Sequence, residues 1–442
     1  MTSVDWAVFD RALRARRRAI FEGFVACLRV DTVSQRPDRV RAGAEWLARA
    51  MERRGLDARV LETGGNPVAF GERRVSGASR TLLIYCHFDT KPAPPAGWLQ
   101  PSPFEPVLRA GLAEEGAPIV ADAAVPDDAL PAHRLYARGA SDDKGPIWAH
   151  LEALGLMDAL GVAPRVNLKL VLEGEEEIGS PGFGDFVESH QDLLAADLVL
   201  VTDGPKDASE RPTVVFGARG ILALTLELEA ARRDVHSGNV SEPNPAWILT
   251  GLLASMAAPD GTPLIEGLAA DAVPPTAAER ALLGRIPLDR PALERELGVR
   301  LPEDYLERLM FRPTLTIRGL RAGAVGEEAN TIIPHRATVA LDLRLVKNLR
   351  ADAVYWRVVE HIRAQGFTVI ESPDAPLTDE LRGRVVRIVE RHGYDPAKTA
   401  ADLPISRRVV EIVERAHGGQ AAVVVPTAGG SVPLWAFTDI LG

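Results

Sequence analysis

Cysteine is nearly absent from this 442-residue chain, which has only Cys27 and Cys86, both in apolar surroundings. Two distant thiols build no disulfide scaffold, and the lack of any CxxC or CxxH spacing points away from a thiolate zinc site. An excess of basic charge is missing too. The formal net charge is −10, which argues against a nucleic-acid binder and leaves no polybasic membrane signal. The one local basic run, Arg14-Ala15-Arg16-Arg17-Arg18, falls in a helical pattern and reads as a solvated face. No apolar run approaches a membrane span, and the first residues, MTSVDWAVFDRALRARRR, contain no apolar signal core. These absences lead to the expectation of a cytoplasmic protein. Apolar residues are nevertheless ample for a large core, and the length predicts two or three domains.

Residues 5–30 carry an amphipathic helical pattern. A second helix is expected from about Pro37 to Arg54, with Val40, Ala44, Leu47 and Met51 on one face and Gly55 as its stop. Short strands are expected at Ala58–Leu61 and Thr81–Cys86. Residues 91–134 are rich in proline and alanine and read as a long loop over a site. Next come a helix at Lys144–Leu160, a strand at Arg165–Glu173, a helix near Phe183–His190 and a strand at Asp197–Thr202. Strands alternating with helices imply an α/β domain, a mostly parallel sheet flanked by helices.

Near residue 213 the pattern changes. Ile221–Glu229, Thr314–Ile317 and Ala337–Leu345 alternate apolar and polar residues, as strands with one solvated face do. Helices are expected from Asn244-Pro245 and over Ala351–Gln365. Residues 213–400 therefore read as an α+β domain inserted into a first domain of residues 1–212 and 401–442. A helix at Pro404–Ala416 and a strand at Ala421–Val425 follow. RVVRIVERHG (384–393) and RVVEIVERAHG (408–418) look alike and read as two short helices, too few for a repeat architecture.

The stretch from Thr81 to Thr90, TLLIYCHFDT, organises the chemistry. Side chains two apart on a strand share a side, so His87 and Asp89 can face one pocket at the strand's carboxyl end, where open α/β sheets bind ligands. A carboxylate beside an imidazole fixes its tautomer and raises its basicity as a metal ligand. Alone, His-x-Asp more often marks a satisfied histidine at a strand end, and Glu175–Glu177 a solvated acidic face. Their company changes the reading: the acidic turn Gly139–Gly145 holds Asp142, Glu173–Ser180 follows a strand, and Thr202-Asp203-Gly204 ends another. Carboxylates and imidazoles suit hard or borderline divalent cations, and an Asp bridging two ions can build a site that activates a shared water. Successive glutamates in an irregular turn can point differently, one ligating while its neighbour acts as general base.

In order along the chain, HFD, GASDDKG, EGEEEIGS, VTDG, RRDVHSG, NTIIP, LDLRLV and GGSVP resemble the signatures of the aminoacylase/carnosinase family of dinuclear zinc peptidases. Carnosine dipeptidases, carboxypeptidase G, acetylornithine deacetylase and succinyl-diaminopimelate desuccinylase are its members. LYARGASDDKGP and EGEEEIGS look most like the dipeptidase branch. The resemblance implies a zinc-exopeptidase-like catalytic domain with an inserted lid and dimerisation domain. It also implies two divalent ions, zinc first, with manganese or cobalt as alternatives. His87 and Asp203 would bind the first ion, Asp142 would bridge and Glu177 would bind the second. Glu176 would be the general base, and Asp89 would orient His87. His236 would stabilise the oxyanion, reaching it from its own chain or from a partner subunit. Thr331 and Arg344, with Asn330 beside Thr331 and the backbone around Gly430 and Ser431, look like a clamp for the substrate carboxylate.

Arg344 fits that role on its own sequence context, since it lies on the polar face of an alternating strand and Arg suits bidentate carboxylate recognition. A surface ion pair with Asp342 is the competing reading. His133, His150, His190, His335, His361, His392 and His417 match no signature. The expected activity is hydrolysis, by metal-activated water, of the amide bond in a dipeptide or N-acyl amino acid carrying a free carboxylate. The expected assembly is a homodimer, without nucleic acid or membrane. An N-acyl amino acid deacylase or carbamoylase is the alternative within the enzyme class, and a non-catalytic paralogue the alternative outside it. The family places a last metal-ligating histidine some tens of residues after GGSVP, whereas this sequence ends at Gly442. The expectation is an incomplete second metal site, through a truncated sequence or, as the alternative, a natural loss of one metal site, and a final segment, LWAFTDILG, that leads into another core strand.

Overall fold

In the computed structural model of the protein, the described residues are 6–204, 207–238, 243–372 and 375–442. The chain divides into two compact units, Met1–Pro205 with Ala436–Gly442, and Lys206–Trp435. These bounds differ from the expected 1–212 with 401–442 and 213–400. Residues 401–435 group with the second unit, where strand β19 (Val423–Val425) pairs in parallel with β9 (Thr213–Val215).

The first unit is built on β1 (Asp57–Leu61), β2 (Val68–Arg73), β3 (Thr81–His87), β7 (Asn167–Glu173) and β8 (Leu198–Val201), in the order β1-β2-β7-β3-β8. β7 and β8 flank β3 in parallel, whereas β2 is antiparallel to both its neighbours. Two of the four pairings are thus parallel and two antiparallel: the α/β class holds, but the sheet is mixed where a mostly parallel one was expected. The strand β2, VAFGER, was not anticipated: its first four residues are all buried, so it shows no alternation. β3 is buried on both faces, which is why it reads as a continuous apolar run. Its Ile84 and Cys86 pack with α1 (Trp6–Leu28), α2 (Pro37–Glu52) and α3 (Lys144–Ala159) through Cys27, Val40, Met51, Ile147 and Leu151. Tyr85 points the other way, edge-on to Phe183 of α4 (Phe183–Ser189) and to Phe437. A short helix, α5 (Gln191–Leu194), precedes β8. Phe437 lies in a π-helical turn, Ala436–Leu441, within the apolar segment expected to lead into another core strand; its ring is held between Tyr85 and Phe183.

Residues 91–134 are more than a loop. β4 (Val107–Arg109), β5 (Ile119–Val120) and β6 (Arg134–Tyr136) form a small antiparallel sheet with its own apolar cluster of Leu108, Val125 and Leu130. The basic run on α1 serves this segment. Arg17 donates to the Asp127 carbonyl at 3.0 Å and Arg18 to the Asp122 carbonyl at 3.2 Å, so the run is not simply a solvated face.

In the second unit β13 (Thr314–Arg321), β15 (Arg336–Leu345), β11 (Gly220–Glu229), β17 (Val385–Tyr394) and β16 (Thr368–Ile370) form one sheet in that order. Burial alternates residue by residue along β11, and Leu222, Leu224, Leu226 and Leu228 meet Val339, Leu341 and Leu343 of β15 in the core. α6 (Pro245–Met256) and α10 (Ala351–Ala364) cover that face, and the Asn244 side chain caps α6 by accepting from the Ala246 N–H at 2.9 Å. RVVRIVERHG, expected as a helix, is strand β17, while RVVEIVERAHG is helix α11 (Pro404–Ala416). Small pairings complete the unit: β10 (Gly217–Ala218) with β18 (Ala397–Lys398), and β12 (Val235–His236) with β14 (Ile332–Ile333). Three further helices are α7 (Ala277–Leu283), α8 (Arg290–Leu297) and α9 (Tyr305–Phe311).

Gly174, directly after β7, is a point of close packing. A Cβ there would lie 2.7 Å from the Pro67 carbonyl oxygen and 2.9 Å from Val40 Cγ1. Gly174→Ala is therefore expected to cost about 1–3 kcal/mol. A denaturant melt unchanged from wild type would contradict this close packing.

Candidate active site

The carboxyl ends of β7, β3 and β8 lie side by side because the three strands run in parallel. Each end carries acidic or imidazole side chains, and their convergence follows from that topology. His87 and Asp89 are both fully buried. His87 Nδ1 lies 3.3 Å from Asp89 Oδ1, a charge contact that falls short of full hydrogen-bond geometry. On the other edge of the ring, His87 Nε2 is 2.8 Å from Asp142 Oδ1 and 3.9 Å from both Glu176 Oε2 and Asp203 Oδ2. Ligand atoms of His87, Asp142 and Asp203 all lie within 4.8 Å of one another.

Asp89 does more than face the ring. Its carboxylate accepts from the backbone N–H groups of Glu176 and Glu177 at 3.2 and 3.1 Å, and from the Ser34 hydroxyl at 2.7 Å. One buried carboxylate therefore fixes both the imidazole and the turn that carries Glu176 and Glu177. Glu175, also buried, shapes the same turn by accepting from the Asn66 and Gly182 N–H groups. Asp143 is buried and accepts from the His87 N–H at 3.2 Å. The peptide bond between Asp142 and Asp143 is cis.

Electrostatics describe a site short of positive charge. Burial pushes the Glu176 carboxyl up to about 7, with Asp203 and Asp89 adding repulsion against the opposing pull of His87. Burial raises Asp203 and takes Asp143 up to about 8. Burial alone would lower the His87 pKa, yet the adjoining Asp142 and Asp89 hold it well above the usual histidine value. Gathering carboxylates around one buried imidazole is unfavourable unless a cation joins them, and the donors are of the type divalent ions take. The residues fit a metal.

Sequence reasoning missed four participants. Ser34, Asp143 and Glu175 act through contacts that no local motif encodes. The fourth, Lys91, places its ammonium 2.9 Å from Glu177 Oε2.

The remaining candidates belong to the second unit. Arg344 pairs with Asp342, Nε to Oδ1 at 2.9 Å and Nη2 to Oδ2 at 3.2 Å, so the ion pair weighed against a binding role does exist. Arg344 Nη1 also donates to Ser431 Oγ at 2.9 Å. The Gly430 carbonyl accepts from the Arg219 N–H at 3.0 Å. His236 is exposed on β12, where its Nδ1 accepts from the Gly238 N–H at 3.1 Å. The neighbouring Ser237 N–H donates to the carbonyl of Thr331, whose side chain is exposed, and the Asn330 side chain donates to the Glu328 carbonyl.

A family model described as peptidase family M20/M25/M40 matches residues 83–435, most of the chain and every candidate residue. The chain belongs to that family. Among relatives of this chain, the cysteinylglycine-S-conjugate dipeptidase of Corynebacterium striatum is 28% identical over 404 residues, 88% of this chain and 78% of that protein. The Cys-Gly metallodipeptidase of Schizosaccharomyces pombe is 27% identical over 307 residues, 67% of this chain and 60% of its own length. The chain thus spans about three fifths of that relative. An M20-family metallo-carboxypeptidase from Sulfolobus solfataricus superposes with a TM-score of 0.80 at 28% identity, covering 96% of this chain and 89% of the other.

The position of Asp89 leads to a prediction. Asp89→Ala releases both the His87 ring and the Glu176–Glu177 turn, and is expected to weaken metal affinity by about 10–100-fold. Competition against a chelator of known affinity measures it, and wild-type affinity in the variant would refute the double role.

Proposed function

We propose that this chain is a metal-dependent dipeptidase, hydrolysing the amide bond of a dipeptide with a free carboxylate. The observation that carries the reading is the convergence of His87, Asp142 and Asp203, with Glu176 and Glu177 beside them, in a member of a peptidase family. The dipeptidase names of the relatives support the substrate class.

His87, Asp142 and Asp203 would hold one divalent ion, with Glu177 and the shared Asp142 as donors toward a second. Zinc is the first expectation, and manganese or cobalt suits the same donors. When bound, such an ion polarises the scissile carbonyl and lowers the pKa of water. The chain's own residues do the rest. Glu176 accepts the proton of the attacking water at Oε2 and delivers it to the leaving amine. Asp89 keeps the His87 ring and the Glu176 backbone in register. Arg344 and Ser431, with the backbone at Gly430 and with Asn330 and Thr331, receive the substrate carboxylate. His236 donates to the developing oxyanion. A substrate panel of dipeptides beside N-acyl amino acids, each with zinc, manganese and cobalt added, tests the assignment. Turnover confined to N-acyl amino acids would overturn it.

We also infer a homodimer. β13 is an edge strand with Ile317 and Leu320 exposed, and Trp247 on α6 is 78% exposed, so this unit offers an unpaired edge and apolar surface. If His236 serves the neighbouring subunit, mixing inactive His236→Ala and Glu176→Gln proteins restores part of the activity. No recovery after verified subunit exchange would confine His236 to its own chain. Among the described residues no helix is long and apolar enough to cross a membrane. Both thiols are buried and unpaired, which suits a reducing compartment such as the cytoplasm.

A further inference from the structure

We propose that Asp342 is a positioning residue, holding the Arg344 guanidinium in the orientation that grips a substrate carboxylate; this rests on the dipeptidase reading above. The two residues lie two apart on β15, on the face opposite the fully buried Leu341, Leu343 and Leu345. Asp342 is only 7% exposed, so its charge is largely removed from water and committed to its partner.

The pairing is a side-on fork, with Nε and Nη2 of Arg344 each on one oxygen of Asp342. Ser431 Oγ takes one N–H of Nη1 and is itself anchored on the Gly220 carbonyl at 3.3 Å. A guanidinium has five N–H groups. With one used on Nε, one on Nη2 and one on Nη1, a single N–H remains on each of Nη1 and Nη2, matching the two oxygens of a carboxylate. The backbone beneath is also tied down. The buried Arg219 guanidinium donates to the Arg344 carbonyl at 3.2 Å, and to those of Leu309 and Arg312 at 3.0 and 2.7 Å.

Charge and position make opposite demands on Asp342. As a counter-charge it cancels part of the field that attracts an anion, so its removal would tighten carboxylate binding. As a positioning group it keeps a long, flexible side chain in one rotamer, so its removal loosens binding. The sign of the change separates the two.

The test is calorimetric titration of the full chain with an uncleavable dipeptide analogue, its amide bond reduced to CH2–NH, as the free acid and as the C-terminal amide. Asp342→Asn is expected to weaken binding of the free acid on the order of tenfold, the loss of one charge-assisted contact, and to leave the amide unchanged. An unchanged or tighter Kd for the acid overturns the proposal, as does equal weakening of acid and amide, which marks a merely structural role. Should Asp342→Asn fail to fold, Asp342→Glu decides. It keeps the charge but shifts the fork, so positioning predicts weaker acid binding and a counter-charge predicts wild-type affinity. Arg344→Ala tests the underlying reading separately. If it leaves the preference for acid over amide intact, the carboxylate clamp itself is wrong. If it abolishes the preference while Asp342→Asn does not alter it, only the positioning role fails.

Discussion

Glu176→Gln is expected to keep the fold and the bound cation and to lose turnover by about 10²–10⁴-fold, the usual worth of a positioned general base. The substitution is nearly isosteric. The backbone N–H of residue 176 still donates to Asp89, so the turn keeps its anchor. His87, Asp142 and Asp203, the three-donor group, are untouched. What is lost is a carboxylate able to take a proton, placed 3.9 Å from His87 Nε2 at the mouth of that group. Steady-state kinetics and metal analysis on the same preparation check both halves. A kcat near that of wild type would remove Glu176 from the mechanism, and loss of the metal would make it a ligand.

Asp142→Ala is expected to abolish both tight metal binding and turnover. Asp142 is the carboxylate in direct hydrogen-bond contact with His87 Nε2. Removing it leaves His87 and Asp203, two donors where a catalytic zinc site takes three. Metal content after exhaustive dialysis is the measurement, and an ion retained by the variant would sink the assignment. The wild-type 442-residue chain is expected to retain one ion in that assay. Among the described residues one three-donor group is formed, while Glu177 is held by Lys91 at 2.9 Å. Two tightly held ions would mean that Lys91 yields Glu177 readily to a second cation.

Much of the cluster around His87 was legible because it depends on short-range rules. His87 and Asp89 share a side through the two-residue period of a strand, and the ends of parallel strands lie together once the α/β alternation is recognised. Asn244 before Pro245 marked a helix start for the same local reason. Other partnerships were illegible because they join residues far apart in sequence. Ser34 reaches Asp89 across 55 positions, and Arg344 reaches Ser431 across 87. No pattern within either segment encodes such a contact.

RVVRIVERHG and RVVEIVERAHG separate the two kinds of information. Their valines, isoleucines and charged residues permit either a strand or an amphipathic helix, and the sequence read them both as helices. The first became β17 because β11 and β16 offered hydrogen-bonding partners on both sides and a core for Val385, Val386 and Ile388. The second belongs to no sheet among the described residues and is a helix. The final segment, read only as an apolar lead into a further strand, is a π-helical turn in which Tyr85 and Phe183 hold the ring of Phe437. By itself the sequence determined the α/β class and the residues that gather around His87, since spacing and residue chemistry suffice for these. Tertiary structure alone decided the state of the ambiguous β-branched segments, the limits of the two units, and the partners of Lys91, Asp342 and Ser34. Those outcomes depend on which distant surfaces and charges a folded chain brings within contact distance.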